Sequence, residues 1–148
     1  MKYLLLLTVF FPVFSFVSCS QDIPANEVPS VVINALKAKF PEATGIDWEK
    51  KQDLYEAEFD FGKTEFSVLI DSNGKLILHK QDIKKRDLPT NITSVLNSNY
   101  KKFRIDDVEK LEKDGITYYQ AELKGNGKVA RLVFSAEGRE EKNIDYWD

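Results

Sequence analysis

The sequence has few of the residues that most often bind metals, form disulfides or act as nucleophiles. Its 148 residues contain one cysteine, Cys19, and one histidine, His79. A disulfide needs two cysteines, and a Cys/His zinc site needs about four such ligands. The sequence therefore excludes a disulfide framework and a zinc site of this kind, and we expect no metal and no cofactor.

The chain also lacks an excess of positive charge. It has 21 lysines and arginines against 24 aspartates and glutamates, which gives a formal net charge of −3. Nonspecific nucleic-acid binding and polybasic attachment to a membrane both require a basic surface. We therefore expect no nucleic-acid partner.

The first residues have the pattern of a secretory signal. Lys2 is followed by a mainly apolar run at residues 4–17. This run is shorter than the roughly 20 residues that a transmembrane helix needs, and its length suits the hydrophobic region of a signal peptide. It ends at residues 16–19 in Phe-Val-Ser-Cys, which resembles the lipobox of bacterial lipoproteins.

We predict a lipoprotein signal peptide at residues 1–18 and, after cleavage, a lipid on the sulfur of Cys19 that attaches the protein to a membrane. The lipid also removes an unpaired thiol from an oxidising compartment. Residues 19–26 are expected to form a polar tether. The alternatives are an ordinary signal peptide with a cysteine near its end and a buried N-terminal helix. The predicted location is beyond the inner membrane, in the periplasm or anchored to the outer membrane.

The remaining chain consists of two related halves. Residues of the first half recur in the second at an offset of 60 and then of 64, and chance similarity is the alternative to duplication. We predict a first repeat at residues 27–83, a linker at 84–86 and a second repeat at 87–148. The matching positions include Val28/Leu88, Val32/Ile92, Leu36/Leu96, Phe40/Tyr100, 55–59/119–123 and Gly74/Gly138.

Hydrophobic periodicity predicts the same order of elements in each half. Apolar residues at steps of three and four predict helices at residues 28–40 and 88–100, with Asp87 as the N-cap of the second. Alternating residues and turn motifs predict about four antiparallel strands after each helix. The predicted fold class is α+β, with two tandem repeats that each pack one helix on an antiparallel sheet. The predicted strands are 46–51, 54–61, 65–71 and 75–83, then 108–112, 116–123, 128–135 and 140–147.

Three features could carry chemistry, and each has a structural explanation that we prefer. His79 lies in a predicted strand without a candidate serine nucleophile. Glu56, Glu58 and Asp60 form an acidic row, but such a row on an exposed strand more often protects an edge. The Asp-Ser-Asn-Gly turn at residues 71–74 lacks the ligand spacing of a calcium loop. We therefore expect no enzymatic activity.

The sheet face that the helices leave uncovered is the candidate functional surface. Exposed aromatic residues beside an arginine are typical of protein-binding hot spots. Trp48 is expected in the core, whereas the sequence leaves open whether Trp147 closes the core or lies on the surface. The candidate partner-binding residues are Tyr118, Arg131, Tyr146 and Trp147.

Three motifs follow one another in this chain: an apolar helix at residues 28–41, a strand pair from Trp48 to Phe59, and a hairpin at residues 70–75. Together they resemble the PepSY-like family, and more narrowly its β-lactamase-inhibitor-like envelope proteins. The resemblance implies tandem α+β repeats with an open sheet face, secretion, and binding or inhibition of an extracytoplasmic protein. True β-lactamase inhibitors contain paired disulfides, and this chain has no cysteine after Cys19, so no inhibitory residue is carried over.

The sequence therefore predicts a noncatalytic, lipid-anchored envelope protein. It is expected to bind, or to bind and inhibit, another extracytoplasmic protein or peptide through its open sheet face. The alternative is a binder of a small ligand or cell-wall fragment in the crevice between the repeats, which a deep apolar pocket ringed by polar groups would favour. A third hypothesis is an enzyme that uses the acidic row.

Overall fold

The structure of the protein, a computed structural model, describes residues 20–148. The predicted signal peptide at residues 1–18 and the predicted lipid attachment site Cys19 lie outside the described residues. Within the described range, no helix is long and apolar enough to cross a membrane.

In the described part of the chain, eight antiparallel strands form one sheet in which each strand pairs with the next in sequence. The strands are β1 (Ser20–Asp22), β2 (Asp47–Lys51), β3 (Leu54–Phe61), β4 (Thr64–Asp71), β5 (Leu76–Asp82), β6 (Arg104–Lys113), β7 (Ile116–Gly125) and β8 (Lys128–Ser135). Helix α1 (Ser30–Lys39) connects β1 to β2, and helix α2 (Thr90–Asn99) connects β5 to β6.

The two halves share a single sheet, which corrects the prediction of two separate helix-on-sheet units. Strand β5 pairs with β4 on one side, where His79 lies opposite Val68. It pairs with β6 on the other side, where His79 lies opposite Glu112. A free strand edge exposes unpaired backbone N–H and C=O groups, and this junction satisfies them. The duplication was predicted, but the continuous sheet was not.

The predicted strand at residues 140–147 is wrong. After β8 the chain turns, and only an isolated bridge pairs Glu140 with Phe134. The chain then leaves the edge of the sheet, and the backbone of Trp147 bonds to the side chain of Gln120 on β7 instead. Contacts across the sheet face therefore replace the strand pairing that the alternating pattern predicts.

Part of the segment predicted as a tether belongs to the sheet. Residues 20–22 form β1, which pairs with β2 along its whole length. The tripeptide Gln-Asp-Ile that ends at Ile23 recurs 60 residues later and ends at Ile83. Ile23 donates its N–H to the carbonyl of Trp48 at 2.9 Å, and Ile83 donates to Val108 at 3.1 Å. Each structural repeat therefore includes the strand before its helix.

Both helices begin two residues later than predicted, because a proline sets the start of each. The backbone of Leu88 is extended, as expected for a residue before a proline, so Pro89 is the N-cap of α2. Asp87, the predicted N-cap, instead donates its N–H to the carbonyl of Lys84 at 2.7 Å. This bond closes the 3-10 turn Lys85–Asp87, which overlaps the predicted linker.

Both helices pack on the same face of the sheet, each over the strands of its own repeat. Ala57 and Val68 lie in the apolar core under α1, and Ala121 and Phe134 lie in the core under α2. Trp48 is 5% exposed and belongs to the first core, as predicted. The two cores lie side by side on one face, and the opposite face carries no helix of the described chain.

A glycine in each repeat lets a hairpin turn lie close against the helix. Gly74 has a φ of 82°, and a Cβ there would lie 2.8 Å from Cγ2 of Val31 in α1. Gly138 has a φ of 84°, and its Cβ would lie 3.2 Å from the backbone of Asn91 in α2. A side chain disfavours this φ as well as the contact. The carboxylate of Asp71 accepts two backbone N–H groups of the first turn, which agrees with a turn role.

We expect Leu36→Ala to lower the free energy of unfolding by about 2–5 kcal/mol, because Leu36 is fully buried and its truncation leaves a cavity. Leu96→Ala, at the matching position of α2, should have a similar cost. The control Val31→Ala changes an exposed side chain of α1 and should cost no more than about 0.5 kcal/mol. Chemical denaturation followed by circular dichroism measures these differences. Equal losses for Leu36→Ala and Val31→Ala would contradict the packing of α1.

Candidate interaction face

The sheet face opposite the helices is lined by polar side chains from both repeats. Side chains alternate along a strand, so the neighbours of the core residues point to this face. Among the described residues, the buried polar side chains all lie here: Glu56, Ser67, Glu109, Gln120 and Ser135. We call this surface the open face, and it also includes Lys80, Leu111, Tyr118, Glu122 and Arg131.

The chain itself covers part of the open face after it leaves β8. We call residues 142–148 the cross-face segment. The side-chain amide of Gln120 donates a hydrogen bond to the carbonyl of Trp147 at 2.7 Å. Its oxygen accepts the N–H of Trp147 at 3.2 Å. One fully buried amide therefore satisfies both backbone groups of one residue of the segment.

Lys80 is the central cation of the open face. Its ammonium lies 2.8 Å from a carboxylate oxygen of Glu109 and donates to the carbonyl of Trp147 at 3.2 Å. The same ammonium lies 5.1 Å from the centroid of the Trp147 ring, within the range of a cation–π interaction. Gln120 donates to the other oxygen of Glu109. Three polar side chains from β5, β6 and β7 thus form one network beneath the tryptophan.

Arg131 lies at the rim of the same surface, on the edge strand β8. Its guanidinium lies 5.6 Å from the centroid of the Tyr146 ring. It also donates to carboxylates of Glu122 and Asp148, each at 3.1 Å. Burial raises the pKa of Tyr146, and the carboxylate of Glu109 adds to the effect.

The structure brings three of the four predicted partner-binding residues into one area. Arg131 contacts Tyr146, and Trp147 lies on the adjacent network of Lys80 and Gln120. Tyr118 lies on the same face of β7, opposite Ser135 of β8. The alternation along β7 places Gln120 on this face in the sequence as well, but neither Gln120 nor Lys80 was among the predicted partner-binding residues.

The predicted acidic row is not a uniform exposed surface. Glu56 is fully buried and pairs with the ammonium of Lys51, whereas Asp60 is exposed. Glu58 is half-buried, and burial raises the pKa of its carboxyl, with Glu56 and Glu49 adding to the shift. Neighbouring carboxylates repel one another, and this repulsion disfavours ionisation of Glu58, whereas Glu56 has the Lys51 ammonium as a partner. Glu56 is therefore held in an ion pair within the sheet, and of the three residues only Asp60 is exposed.

His79 packs within the first repeat. Its ring lies 5.7 Å from the ring of Phe40, on the helix-covered face. Its Nε2 lies 3.6 Å from a carboxylate oxygen of Glu112. Burial lowers the pKa of His79, and the nearby Glu112 carboxylate opposes this shift. These contacts indicate packing at the junction between the repeats.

A second acidic cluster lies beside Lys80. Carboxylate oxygens of Asp82, Asp107 and Glu109 lie within 4.8 Å of one another, so these residues could hold a cation. The ammonium of Lys80 already contacts Glu109. Burial raises the pKa of Asp82 to about 6, with the carboxylates of Asp107, Glu65 and Glu109 adding to the shift and Lys80 opposing it.

The crevice between the repeats contains a polar recess of about 620 Å³. Small-molecule sites are mainly apolar, with a few polar groups that orient the ligand. This recess has the opposite character, so it does not favour the predicted small-ligand alternative. Its lining residues are Asp60, Lys63, Thr64, Glu65, Gln81, Asp82, Ile83, Lys84 and Asp87.

The fold and the open face define a tandem-repeat protein built from two α+β units on a shared sheet. Residues 16–78 and residues 78–139 both match the same family model, which is described as "Putative beta-lactamase-inhibitor-like, PepSY-like". The chain belongs to this family, and the resemblance drawn from the sequence is confirmed. The boundary at residue 78 falls in β5, and the cross-face segment lies beyond the second match.

Solved structures share the fold. A BLIP-like protein from Bacteroides fragilis is 27% identical, with a TM-score of 0.66 over 81% of this chain and 91% of that one. A DUF2874 family protein from Bacteroides uniformis is 19% identical, with a TM-score of 0.70 over 76% and 85% of the two chains. A structure from Bacteroides eggerthii described as "putative periplasmic proteins" is 17% identical, with a TM-score of 0.71 over 76% and 85%. A comparison with curated proteins finds no match.

We expect Asp82→Asn to stabilise the protein at neutral pH by roughly 0.5–1 kcal/mol. A pKa raised from 3.8 to about 6 corresponds to about 3 kcal/mol, but solvent screening of this largely exposed carboxyl reduces the effect. The folded protein disfavours the ionised carboxyl, so the full stability is present below pH 3.8, where the carboxyl is protonated, and part of it is lost as the pH rises through 6. The substitution should therefore help most above pH 6.

Denaturation of both proteins at about pH 4 and about pH 8 measures this difference, with Asp53→Asn in an exposed turn as the control. The gain from Asp82→Asn should vanish at the lower pH. A gain of equal size at both pH values would show that the cost of ionising Asp82 is not its cause.

Proposed function

We propose that this protein is a noncatalytic, lipid-anchored envelope protein that binds another extracytoplasmic protein or peptide through its open face. The observation that carries the proposal is the sheet face without a helix, on which Lys80, Gln120 and Arg131 contact the backbone and the aromatic side chains of the cross-face segment. Arginine and aromatic residues contribute much of the binding energy at protein interfaces.

The relatives support a binding role. The family is described as β-lactamase-inhibitor-like, and the similar protein from Bacteroides fragilis is described as BLIP-like. Fold similarity alone is weak support for a shared partner, because one fold serves many functions. The proposal therefore names the binding surface and leaves inhibition of the bound partner as an outcome of the experiments.

The contacts of the titratable side chains support a noncatalytic role. Glu56 pairs with Lys51, and His79 packs against Phe40. A nucleophile needs a positioned base, and a general acid needs access to a substrate. Buried Glu56 and half-buried His79 are engaged in packing and ion pairing, which suits a rigid scaffold for binding.

The envelope location rests on the signal-peptide pattern and on one neighbour. Residues 1–19 have the charge, apolar length and terminal cysteine of a lipoprotein signal. The similar structure from Bacteroides eggerthii is described as periplasmic. Together they support export of the chain and attachment through Cys19.

We expect a photo-reactive amino acid in place of Val129, an exposed residue of β8 on the open face, to form a defined adduct with an envelope protein in living cells. The same group in place of Lys37, an exposed residue of α1, should not form it. Gel analysis and mass spectrometry identify the adducts. Adducts from position 37 alone would transfer the binding role to the helix face, and inhibition of an identified partner can then be assayed directly.

We expect Cys19→Ser to move the protein from the membrane fraction to the soluble fraction, because stable anchoring requires acyl chains that the serine variant cannot carry. The control Gln21→Ala changes an exposed residue of β1 and should stay with the membrane. Mass spectrometry of the N-terminal peptide should find a lipid on Cys19. An unmodified residue 19 on a cytosolic product would contradict the anchor.

A further inference from the structure

The cross-face segment is a separate addition to the repeated unit. In both repeats the last strand under the helix ends in the same type of turn: Gly74 donates its N–H to Asp71 and Gly138 donates its N–H to Ser135, each at 2.9 Å. In the first repeat the chain then continues as β5. In the second repeat Glu141 donates its N–H to Val133 at 2.8 Å, and the chain then leaves the edge. The family match has already ended at residue 139.

The open face contacts this segment in the way that a protein contacts a bound peptide. Gln120 bonds to both backbone groups of Trp147, and these bonds do not depend on the side chain of the bound residue. Lys80 adds a hydrogen bond to the same carbonyl and a cation–π contact to the ring. The two bonds of Gln120 require an extended backbone, and the cation–π contact of Lys80 selects an aromatic side chain.

A second selective element lies at the rim. Arg131 contacts the ring of Tyr146 and pairs with the carboxylate of Asp148. The guanidinium therefore selects an acidic residue beside an aromatic one. Lys80, Gln120 and Arg131 come from three different strands, so the site exists only in the folded sheet.

We propose that the cross-face segment is an intramolecular ligand, and that the external partner of the open face is an extended peptide segment with an aromatic residue next to an acidic one. This inference rests on the proposed function and specifies the chemistry of its partner. The segment competes with the partner, so the apparent affinity of the protein equals its intrinsic affinity multiplied by the fraction of molecules whose site is free.

The fit of the segment leaves room for an external ligand to bind better. The indole Nε1 of Trp147 is buried and has no hydrogen-bond acceptor among the described residues. A buried donor without a partner weakens the contact that buries it. A ligand whose aromatic side chain has no N–H, such as phenylalanine, avoids this penalty and retains the cation–π contact to Lys80.

The test uses the chain from residue 19 with Cys19→Ser, which removes the lipid. The probe is a fluorescently labelled peptide with the sequence of residues 142–148, and anisotropy measures its binding. The double variant Tyr146→Ala and Trp147→Ala releases the segment and should bind the probe about tenfold or more tightly than the chain with the native segment. Circular dichroism and thermal unfolding establish that the released variant is folded.

Two changes distinguish specific recognition of the probe from nonspecific binding. A probe with alanine in place of its tryptophan should lose binding to the released variant. Adding Arg131→Ala should weaken binding of the native probe more than binding of a probe with asparagine in place of its last aspartate, because the second probe already lacks the ion pair and loses only the contact to the tyrosine ring. Arg131 is exposed, so this substitution leaves the core intact.

A folded released variant that does not bind the probe would overturn the inference. Equal affinities of the native and released chains would also overturn it, because the segment would then not compete. Neither result affects the cross-linking from position 129 in cells, so the proposed function would stand or fall separately on that experiment.

Discussion

Strand β5 pairs with β4 on one side and with β6 on the other, and this double pairing joins two similar units into one sheet. Because the side-chain alternation continues across the junction, α1 and α2 lie on the same face and the two apolar cores lie side by side. The opposite face is therefore also continuous. Lys80 of β5 can reach Glu109 of β6 there, so the site depends on the pairing of these two strands.

The duplicated positions on the open face have diverged in a way that explains where the cross-face segment binds. Glu56 and Gln120 occupy matching positions, and both are fully buried. A carboxylate only accepts hydrogen bonds, and Glu56 pairs with Lys51. An amide both donates and accepts, so Gln120 can satisfy the N–H and the C=O of Trp147 together. The amide of Gln120 in place of a carboxylate therefore allows an extended backbone to bind at the second repeat.

Local patterns were sufficient to predict most elements. The helices and seven of the eight predicted strands correspond to elements of the structure, because hydrophobic periodicity and turn residues act over a few residues. The pattern failed at residues 140–147, where the alternation is real but the segment gains more from the open face than from the edge of β8. It also missed β1, since three polar residues carry no periodicity and are ordered by pairing with β2.

The sequence by itself determined the duplicated α+β units, the positions of the apolar cores and the polar character of the uncovered face, because these depend on spacing within each segment. Arg131, Tyr146 and Trp147 could be chosen as candidates by residue type alone. Only the tertiary structure decided that the halves share one sheet and that Lys80 and Gln120 meet Trp147. Those contacts join residues 27 and 67 positions apart, and their existence depends on strand register and on the path of the chain after β8, which no local pattern records.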